Sequence, residues 1–302
     1  MVAVGGGCRD CWTESGTLGI PQHCYRSKEG LRMQIRYGFN IEIDIAQPTT
    51  ILTVMDVDPA RRHDIIEERP LSISSAQFID TYSDLFGNTC RRIQGSPGTV
   101  TLCAQGLIRD SGMPDQITPG APQVALSDLP ASTLVFLLAS RYCETDLLGQ
   151  LAWDRFGGIQ SGWAKVQAIC DFVHGHLAFD YGSARSTRTA AQAYQDGVGV
   201  CRDFTHLAVT LCRCMNIPAR YCNGYLGDIG VPPDPAPMDF NAWFEAYLGG
   251  RWYTFDARHN MPRIGRIAVA RGRDAMDIPM IHTFGPHYLR TFEVITEEVS
   301  NS

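Results

Sequence analysis

Long hydrophobic runs are missing from this 302-residue chain. The longest candidate, TLVFLLAS at 133–140, falls well short of the roughly eighteen apolar residues that a membrane-spanning helix needs. The N-terminus also lacks a charged segment followed by an apolar one, so we do not expect a secretory signal peptide. The sequence therefore predicts no membrane partner.

An excess of positive charge is missing as well. The chain has 26 Lys and Arg against 32 Asp and Glu, and its basic residues are scattered. Proteins that bind nucleic acids usually carry a basic stripe, so no nucleic-acid partner is predicted. The eleven cysteines are odd in number, and several fall in helix-like segments such as LCRCM at 211–215. That pattern fits a reducing compartment better than a disulfide framework, and it predicts a cytoplasmic protein.

The first 32 residues contain Cys8, Cys11, His23 and Cys24. A C-x-x-C pair with a His-Cys pair has the composition of a zinc site, but two contiguous residues cannot easily supply two tetrahedral ligands. We therefore interpret residues 1–32 as a disordered extension. No metal or other cofactor is predicted.

From Met33 onwards, short segments alternate between apolar and polar residues. MQIRYGFNIEIDI and TTILTVMDVDP read as half-buried strands, and FGNTCRRIQGSPGTVTLCAQGLIRDSG reads as short strands broken by Gly, Asn and Ser-Pro-Gly turns. These segments predict a small antiparallel β domain over 33–115. A linker and helical bridge is predicted over 116–160.

An amphipathic helix is predicted directly after the small-residue turn GVGV. In CRDFTHLAVTLCRCM, Phe204, Leu207 and Leu211 recur at helical spacing, and Cys201 lies at or before the first turn. The unpaired N–H groups and the dipole of a helix N-terminus stabilise a thiolate, which lowers its pKa. The same N–H groups can donate to an oxyanion. Cys201 is therefore the candidate nucleophile.

A β-hairpin is predicted at AWFEAYL-GG-RWYTFDA, because Gly249 and Gly250 satisfy the positive φ angles of a two-residue turn. With these glycines as the loop, Leu248 pairs with Arg251. The register fixes which side chains share a face of the hairpin farther from the turn.

In this register Asn241 faces Arg258 and Trp243 faces Asp256, all on one face of the hairpin. Asn241 and Asp256 are then diagonal neighbours, with Cβ atoms roughly 7 Å apart. A base at position 241 could thus be oriented by the carboxylate at 256, as in the nucleophile, base and orienting-acid arrangement of covalent catalysis.

Three segments, GVGVCRDFTHLAVTLCRCMNIPARYCNGYL, AWFEAYLGGRWYTFDARHN and FLLASRYCETD, resemble the bacterial transglutaminase-like cysteine peptidases of the transglutaminase-like superfamily. The resemblance runs from Met33 to about residue 290. It implies an α+β fold: a papain-like core over 161–295, with the cysteine on a helix N-terminus packed on an antiparallel sheet, preceded by a small antiparallel β domain. It also implies a Cys-His-Asp triad in which Cys201 is the nucleophile and Asp256 the orienting carboxylate.

Asn241 occupies the position of the family's histidine. An amide cannot take a proton from a thiol or protonate a leaving amine. His259 is the possible substitute base: it faces the other side if the strand continues, but it could turn inward if the strand ends at Asp256. His206 points elsewhere on the helix, because it follows the cysteine by five residues.

The possible site-lining residues are Arg202, Asp203, Trp243 and Tyr225. Arg202 and Asp203 could form a local ion pair that positions the loop. Trp243 belongs to a polar cluster on the hairpin, for which sheet packing is the alternative role. Aromatic residues this close to a core, such as Tyr225, are usually packing residues.

Three functions remain open for the chain. The first is hydrolysis or acyl transfer on a peptide, amide or small-molecule acyl substrate through Cys201. The second is non-hydrolytic thiol chemistry of the isomerase or cyclase type. The third is a catalytically inactive binding module of the same fold. The intact cysteine helix and Asp256 favour an enzyme, and the sequence predicts no oligomeric state.

Overall fold

A computed structural model describes residues 33–299 of the chain. The zinc candidates Cys8, Cys11, His23 and Cys24, and the extension predicted over 1–32, lie outside the described residues. Within 33–299 there is no group of three or more side chains that could hold a metal ion. No helix in that range is long and apolar enough to cross a membrane.

The described chain is a mixed α+β structure with antiparallel sheets. The strands are β1 (Met33–Ile45), β2 (Thr49–Thr53), β3 (Ile65–Ser74), β4 (Ala76–Ser83), β5 (Thr89–Gly95), β6 (Gly98–Asp110), β7 (Ala178–Phe179), β8 (Val198–Gly199), β9 (Ala219–Tyr225), β10 (Asn241–Leu248), β11 (Arg251–Phe255), β12 (Ile267–Gly272), β13 (Ile281–Thr283) and β14 (His287–Glu298). The helices are α1 (Ala131–Leu134), α2 (Thr145–Phe156), α3 (Gly162–His176), α4 (Ala190–Asp196) and α5 (Cys201–Cys214).

Two four-stranded sheets make up the β-rich part of the molecule, in the orders β14-β1-β6-β3 and β13-β2-β5-β4. The alternation of β1 is the reason it forms a central strand: its apolar positions, such as Ile35, Ile41 and Ile43, are fully buried. The strands predicted over 33–115 are all present in these two sheets.

The last two strands do not belong to the core that was predicted over 161–295. β13 pairs with β2, and β14 pairs along β1, so residues 281–298 complete the two N-terminal sheets. The partners of β14 lie more than 240 residues away in sequence, and alternation alone does not tell which sheet a strand joins. The core sheet is β11-β10-β9-β12 and takes its last strand from Ile267–Gly272.

Helix α5 is the centre of the core. Its side chains Phe204, Leu207 and Leu211 are buried, as the helical spacing predicts, and they pack with Phe244 of β10 and with α2, α3 and α4. A helix covered on all these sides has little freedom to move, so its first residue, Cys201, has a fixed place beside the sheet.

Gly224 in β9 is a position where the neighbouring strands leave no room for a side chain. A Cβ atom there would lie 2.1 Å from the carbonyl oxygen of Ile267 and 2.8 Å from the ring of Trp243. Gly149 in α2 is the opposite case, because a Cβ there would meet nothing within 4 Å.

We expect Gly224→Ala to lower the free energy of unfolding by about 1–3 kcal/mol, because the added methyl group forces the backbone at Ile267 or the ring of Trp243 to shift. The matched control, Gly149→Ala, should raise it by about 1 kcal/mol through the higher helix propensity of alanine. Urea unfolding followed by circular dichroism measures both. Equal stability of Gly224→Ala and the wild type would contradict this account of the sheet.

Candidate active site

The turn between α4 and α5 sets the place of the Cys201 sulfur. Helix α4 ends at Gly197, whose φ of 67° is in the left-handed region that favours glycine. The two residues of β8 follow, and α5 then begins at Cys201, as predicted. The carboxylate of Asp203 accepts the N–H of Val200 at 3.0 Å, which closes the first turn of the helix.

Asp203 and Arg202 support this turn and do not line a site. Asp203 is fully buried, and its Oδ2 accepts a hydrogen bond from Arg188 Nη1 at 3.0 Å. The predicted Arg202–Asp203 ion pair is present at 3.6 Å, but the Arg202 guanidinium is bound mainly to the backbone carbonyls of Arg185 and Ser186. The prediction that Asp203 lines the site was therefore wrong, because its charge is used inside the turn.

The sulfur of Cys201 lies in a less favourable setting for a thiolate than the sequence predicts. Burial raises the pKa of the thiol to about 11, and the carboxylate of Asp239 acts in the same direction. The guanidinium of Arg258 and the backbone N–H of Ala242, which hydrogen-bonds the sulfur, act in the opposite direction. The expected lowering of the pKa was wrong, since desolvation outweighs the donors around the sulfur.

The hairpin has the predicted register. Leu248 pairs with Arg251, and pairing continues to Phe244 and Phe255, where β11 ends. Gly249 and Gly250 have φ angles of 54° and 91°, as the two-residue turn requires. Because β11 stops at Phe255, the chain turns immediately after it, and the predicted pairs beyond this point are not formed.

Asp256 is the first residue of that turn, and donors surround its buried carboxylate. Its Oδ2 is 2.8 Å from His259 Nδ1 and accepts from Arg266 Nη2, also at 2.8 Å. Its Oδ1 accepts the backbone N–H groups of Arg258 and His259, both at 3.0 Å. Burial alone would raise the pKa of Asp256, but Arg266 and His259 outweigh it and hold the pKa well below its usual range.

His259 is thus turned toward Asp256, which is the inward arrangement that the sequence left open. Its Nδ1 faces the carboxylate, so the ring carries its hydrogen there when it is neutral. Its Nε2 forms no hydrogen bond with any residue in 33–299, and its side chain is 20% exposed. The geometry leaves Nε2 available to accept a proton.

Asn241 is not a partner of Asp256, so the predicted diagonal pair does not form. Its Oδ1 accepts from Arg258 Nη1 at 3.0 Å, and its Nδ2 donates to the carbonyl oxygens of Asp239 and Leu226 at 3.2 and 3.4 Å. The predicted register placed Asn241 opposite Arg258, which is the signal that could have identified Arg258 as a site residue.

A cavity of about 70 Å³ lies beside these groups. Its lining includes Asn241, Arg258, His259, Asp239 and Tyr181. The charges of Asp239 and Arg258 both act on the Cys201 thiol, so the sulfur lies close enough to these two lining residues to feel their charges. Sequence reasoning missed Asp239; burial raises the pKa of its carboxyl group.

Two further predicted residues lie away from this cavity. Tyr225 is fully buried in the core shared with the β domain, where it packs on Tyr37 and Phe240 with ring centroids 5.2 and 4.7 Å away. Its prediction as a lining residue was wrong, because its face of β9 is covered by the N-terminal sheets. Trp243 is also buried, with the Arg266 guanidinium 5.0 Å from its ring.

The other core histidines have structural contacts. His206 is fully buried, its Nε2 accepts the N–H of Ala275 at 3.2 Å, and burial lowers its pKa well below the ordinary value. His174 binds the backbone carbonyl of Arg258 at 2.8 Å through Nδ1. His174 therefore helps to hold the turn after Asp256, although it does not reach the carboxylate.

Comparisons with known proteins show what the chain resembles in sequence and in fold. Residues 151–257 match the sequence model of the transglutaminase-like superfamily. An uncharacterized protein of Mycobacterium leprae (strain TN) is 36% identical over 116 residues, which are 37% of this chain and only 41% of that protein's length. The crystal structure of a proposed cysteine protease from Cytophaga hutchinsonii superposes with a TM-score of 0.77 and 28% identity, covering 90% of this chain and 93% of that one.

The periplasmic domain of TgpA from Pseudomonas aeruginosa is a more distant neighbour. It is 16% identical, has a TM-score of 0.36, and covers 74% of this chain and 88% of its own. A score this low supports no further argument. The match over 151–257 and the Cytophaga structure confirm the predicted α+β fold with a papain-type core.

We expect Asp256→Asn to lower the free energy of unfolding by about 3–5 kcal/mol at pH 7, because the buried Arg266 loses a charge partner. The pKa of Asp256 is depressed in the folded protein, so its stabilising effect is complete above the unfolded value near 4 and is lost as the pH falls below it.

The difference in unfolding free energy between wild type and Asp256→Asn should therefore narrow below about pH 4, by up to about 1.4 kcal/mol per pH unit. Urea titrations at pH 7, 4 and 3 measure it. A difference that stays constant with pH would show that the carboxylate is not charged and paired in the folded protein.

Proposed function

Because residues 151–257 match the transglutaminase-like superfamily, and the match covers the helix of Cys201 and the hairpin of Asp256, we propose that this chain is a cysteine enzyme that acts on an amide or acyl substrate. Cys201 would attack the carbonyl carbon and hold the acyl group as a thioester. Water or an amine would then release it, which gives hydrolysis or acyl transfer. The resemblance to the Cytophaga hutchinsonii protein supports the hydrolytic form.

One observation carries the proposal: the 2.8 Å contact between His259 Nδ1 and Asp256 Oδ2, with Nε2 left unpaired within residues 33–299. A carboxylate on Nδ1 fixes the tautomer and stabilises the imidazolium that forms when Nε2 takes a proton. His259 would thus serve as the general base in place of a histidine at position 241.

The raised pKa of the thiol makes such a base necessary. With a pKa of about 11, roughly one thiol in ten thousand is ionised at pH 7. The proton must then leave the sulfur as the sulfur attacks, and it must return to the leaving group as the tetrahedral intermediate collapses. A histidine whose Nδ1 is held by a carboxylate can do both, because its Nε2 accepts the proton and returns it.

A catalytically inactive binding module is the second candidate. The same raised pKa favours it, since a buried neutral thiol needs no catalytic role to explain it. The two functions differ in whether a thioester accumulates at Cys201, and one experiment separates them.

We expect the wild type to release a burst of nitrophenol from p-nitrophenyl acetate and to carry the acetyl group on the tryptic peptide 189–202, in which Cys201 is the single cysteine. Cys201→Ala should abolish the burst. His259→Ala should slow it by about 10²–10⁴-fold, because the base is removed. Stopped-flow absorbance and peptide mass spectrometry measure both.

The matched control is His63→Ala, since the His63 side chain is 77% exposed on the β domain. This variant should retain the wild-type burst. If neither the wild type nor any variant forms the thioester, the chain is the binding module. If His259→Ala acylates as fast as the wild type, His259 is not the base.

A further inference from the structure

Arg258 is a cation at the candidate site, and two contacts fix its guanidinium. Nη1 donates to Asn241 Oδ1 at 3.0 Å, and the group lies over the ring of Phe179, 3.9 Å from its centroid. The backbone of Arg258 is fixed separately, because its N–H binds Asp256 and its carbonyl binds His174. The Nε and Nη2 donors form no hydrogen bond with any residue in 33–299, and Arg258 lines the cavity.

The same contacts place the guanidinium near the start of α5. Asn241, which holds the guanidinium, directly precedes Ala242, whose N–H binds the Cys201 sulfur. Phe179, on which the guanidinium stacks, pairs in parallel with Gly199, two residues before Cys201. Two separate elements, β10 and β8, therefore connect the guanidinium of Arg258 to the surroundings of the sulfur.

We propose that Arg258 is a catalytic residue of this site, with Asn241 as its positioning residue. The guanidinium pairs first with the sulfur as it loses its proton and then with the negative oxygen of the tetrahedral intermediate. Asn241, at the position of the family's histidine, holds that cation in place and takes no part in proton transfer. This inference rests on the acyl chemistry proposed for Cys201.

The step balances without another reactant. The proton of the thiol moves to His259 Nε2, the sulfur forms a bond to the carbonyl carbon, and the carbonyl π electrons move onto its oxygen. The free Nε and Nη2 donors of Arg258 bind that oxygen. When the intermediate collapses, the electrons return, the bond to the leaving group breaks, and the proton on His259 goes to the leaving group.

Charges of both signs act on the Cys201 thiolate, so we expect Arg258 to change the pKa of the thiol only to a limited extent. Asp239 and Asp256 destabilise the thiolate, whereas Arg258 and the N–H of Ala242 stabilise it. Tyr181 lines the same cavity and is neutral at pH 8.5, because burial raises its pKa above its usual value. The charged side chains of Asp228, Asp234 and Arg263 also line the cavity, together with His259.

The test compares two alkylating reagents that differ in charge. Iodoacetamide is neutral and iodoacetate is an anion, and the peptide 189–202 reports the reaction of Cys201 alone. The peptide 203–213 contains the fully buried Cys212 and serves as an internal control for unfolding. Rates are measured at pH 8.5 for wild type, Arg258→Met, Arg258→Lys and Asn241→Leu.

Removing the guanidinium of Arg258 should raise the pKa of the Cys201 thiol by about one unit and lower the thiolate fraction about tenfold. A less acidic thiol is a better nucleophile, so iodoacetamide should react only roughly three- to fourfold more slowly with Arg258→Met. The alkylation of Arg258→Met by iodoacetate should be slowed by a larger factor, because the attraction of the guanidinium for the anion is lost. Arg258→Lys should keep most of the wild-type rate with both reagents. The rates of Asn241→Leu should lie between those of Arg258→Met and those of the wild type.

The proposal is overturned if Arg258→Met alkylates like the wild type with both reagents, or if Arg258→Lys falls as far as Arg258→Met while Cys212 stays protected. It is also overturned if both reagents slow by the same factor, since that is the sign of lost packing. These outcomes are independent of the nitrophenyl acetate burst. A normal burst with unchanged reagent preference removes Arg258 and leaves the acyl chemistry standing. The reverse result removes the acyl chemistry together with the oxyanion role of Arg258, and leaves only the pairing of Arg258 with the sulfur.

Discussion

The candidate site depends on the hydrogen bonds that compensate the buried carboxylate of Asp256. A charge that is 2% exposed is costly unless donors compensate it, and four hydrogen bonds do so here. Three of these bonds come from the turn that follows it, namely two backbone N–H groups and the ring of His259. Compensating the charge therefore fixes that turn, and the turn brings Arg258 and His259 to the cavity beside Cys201.

The fourth donor joins this turn to the rest of the molecule. Arg266 is 7% exposed and bridges Asp256 to Asp115, which lies in the segment between the β domain and the helices. A guanidinium with two carboxylate partners resists rotation more than one with a single partner, because its donors form a rigid planar fork. The orientation of His259 is thus coupled to how the N-terminal segment packs on the core. The site depends on the whole described chain and not on the cysteine helix and hairpin alone.

Local patterns in the sequence predicted the local structure well. The start of α5 at Cys201, the Gly249–Gly250 turn and the register up to Phe255 follow from glycine positions and side-chain periodicity. The predictions that failed concern contacts between residues far apart in the sequence, the residue at which a strand ends, and the burial of the thiol. The sequence does not show that β11 stops at Phe255, so it could not decide between Asn241 and His259 as the partner of Asp256. It does not show that β14 returns to β1, and it gives no measure of the desolvation that raises the thiol pKa.

An asparagine at position 241, where the resemblance to the family implies a histidine, has a consistent physical reading on the roles proposed above. In a Cys-His-Asp triad one imidazole accepts the proton and then, as a cation, faces the thiolate. An amide can do neither, but its oxygen can accept from a guanidinium. Here the two tasks fall on neighbouring residues of one turn: His259, held by Asp256, for the proton, and Arg258, held by Asn241, for the positive charge.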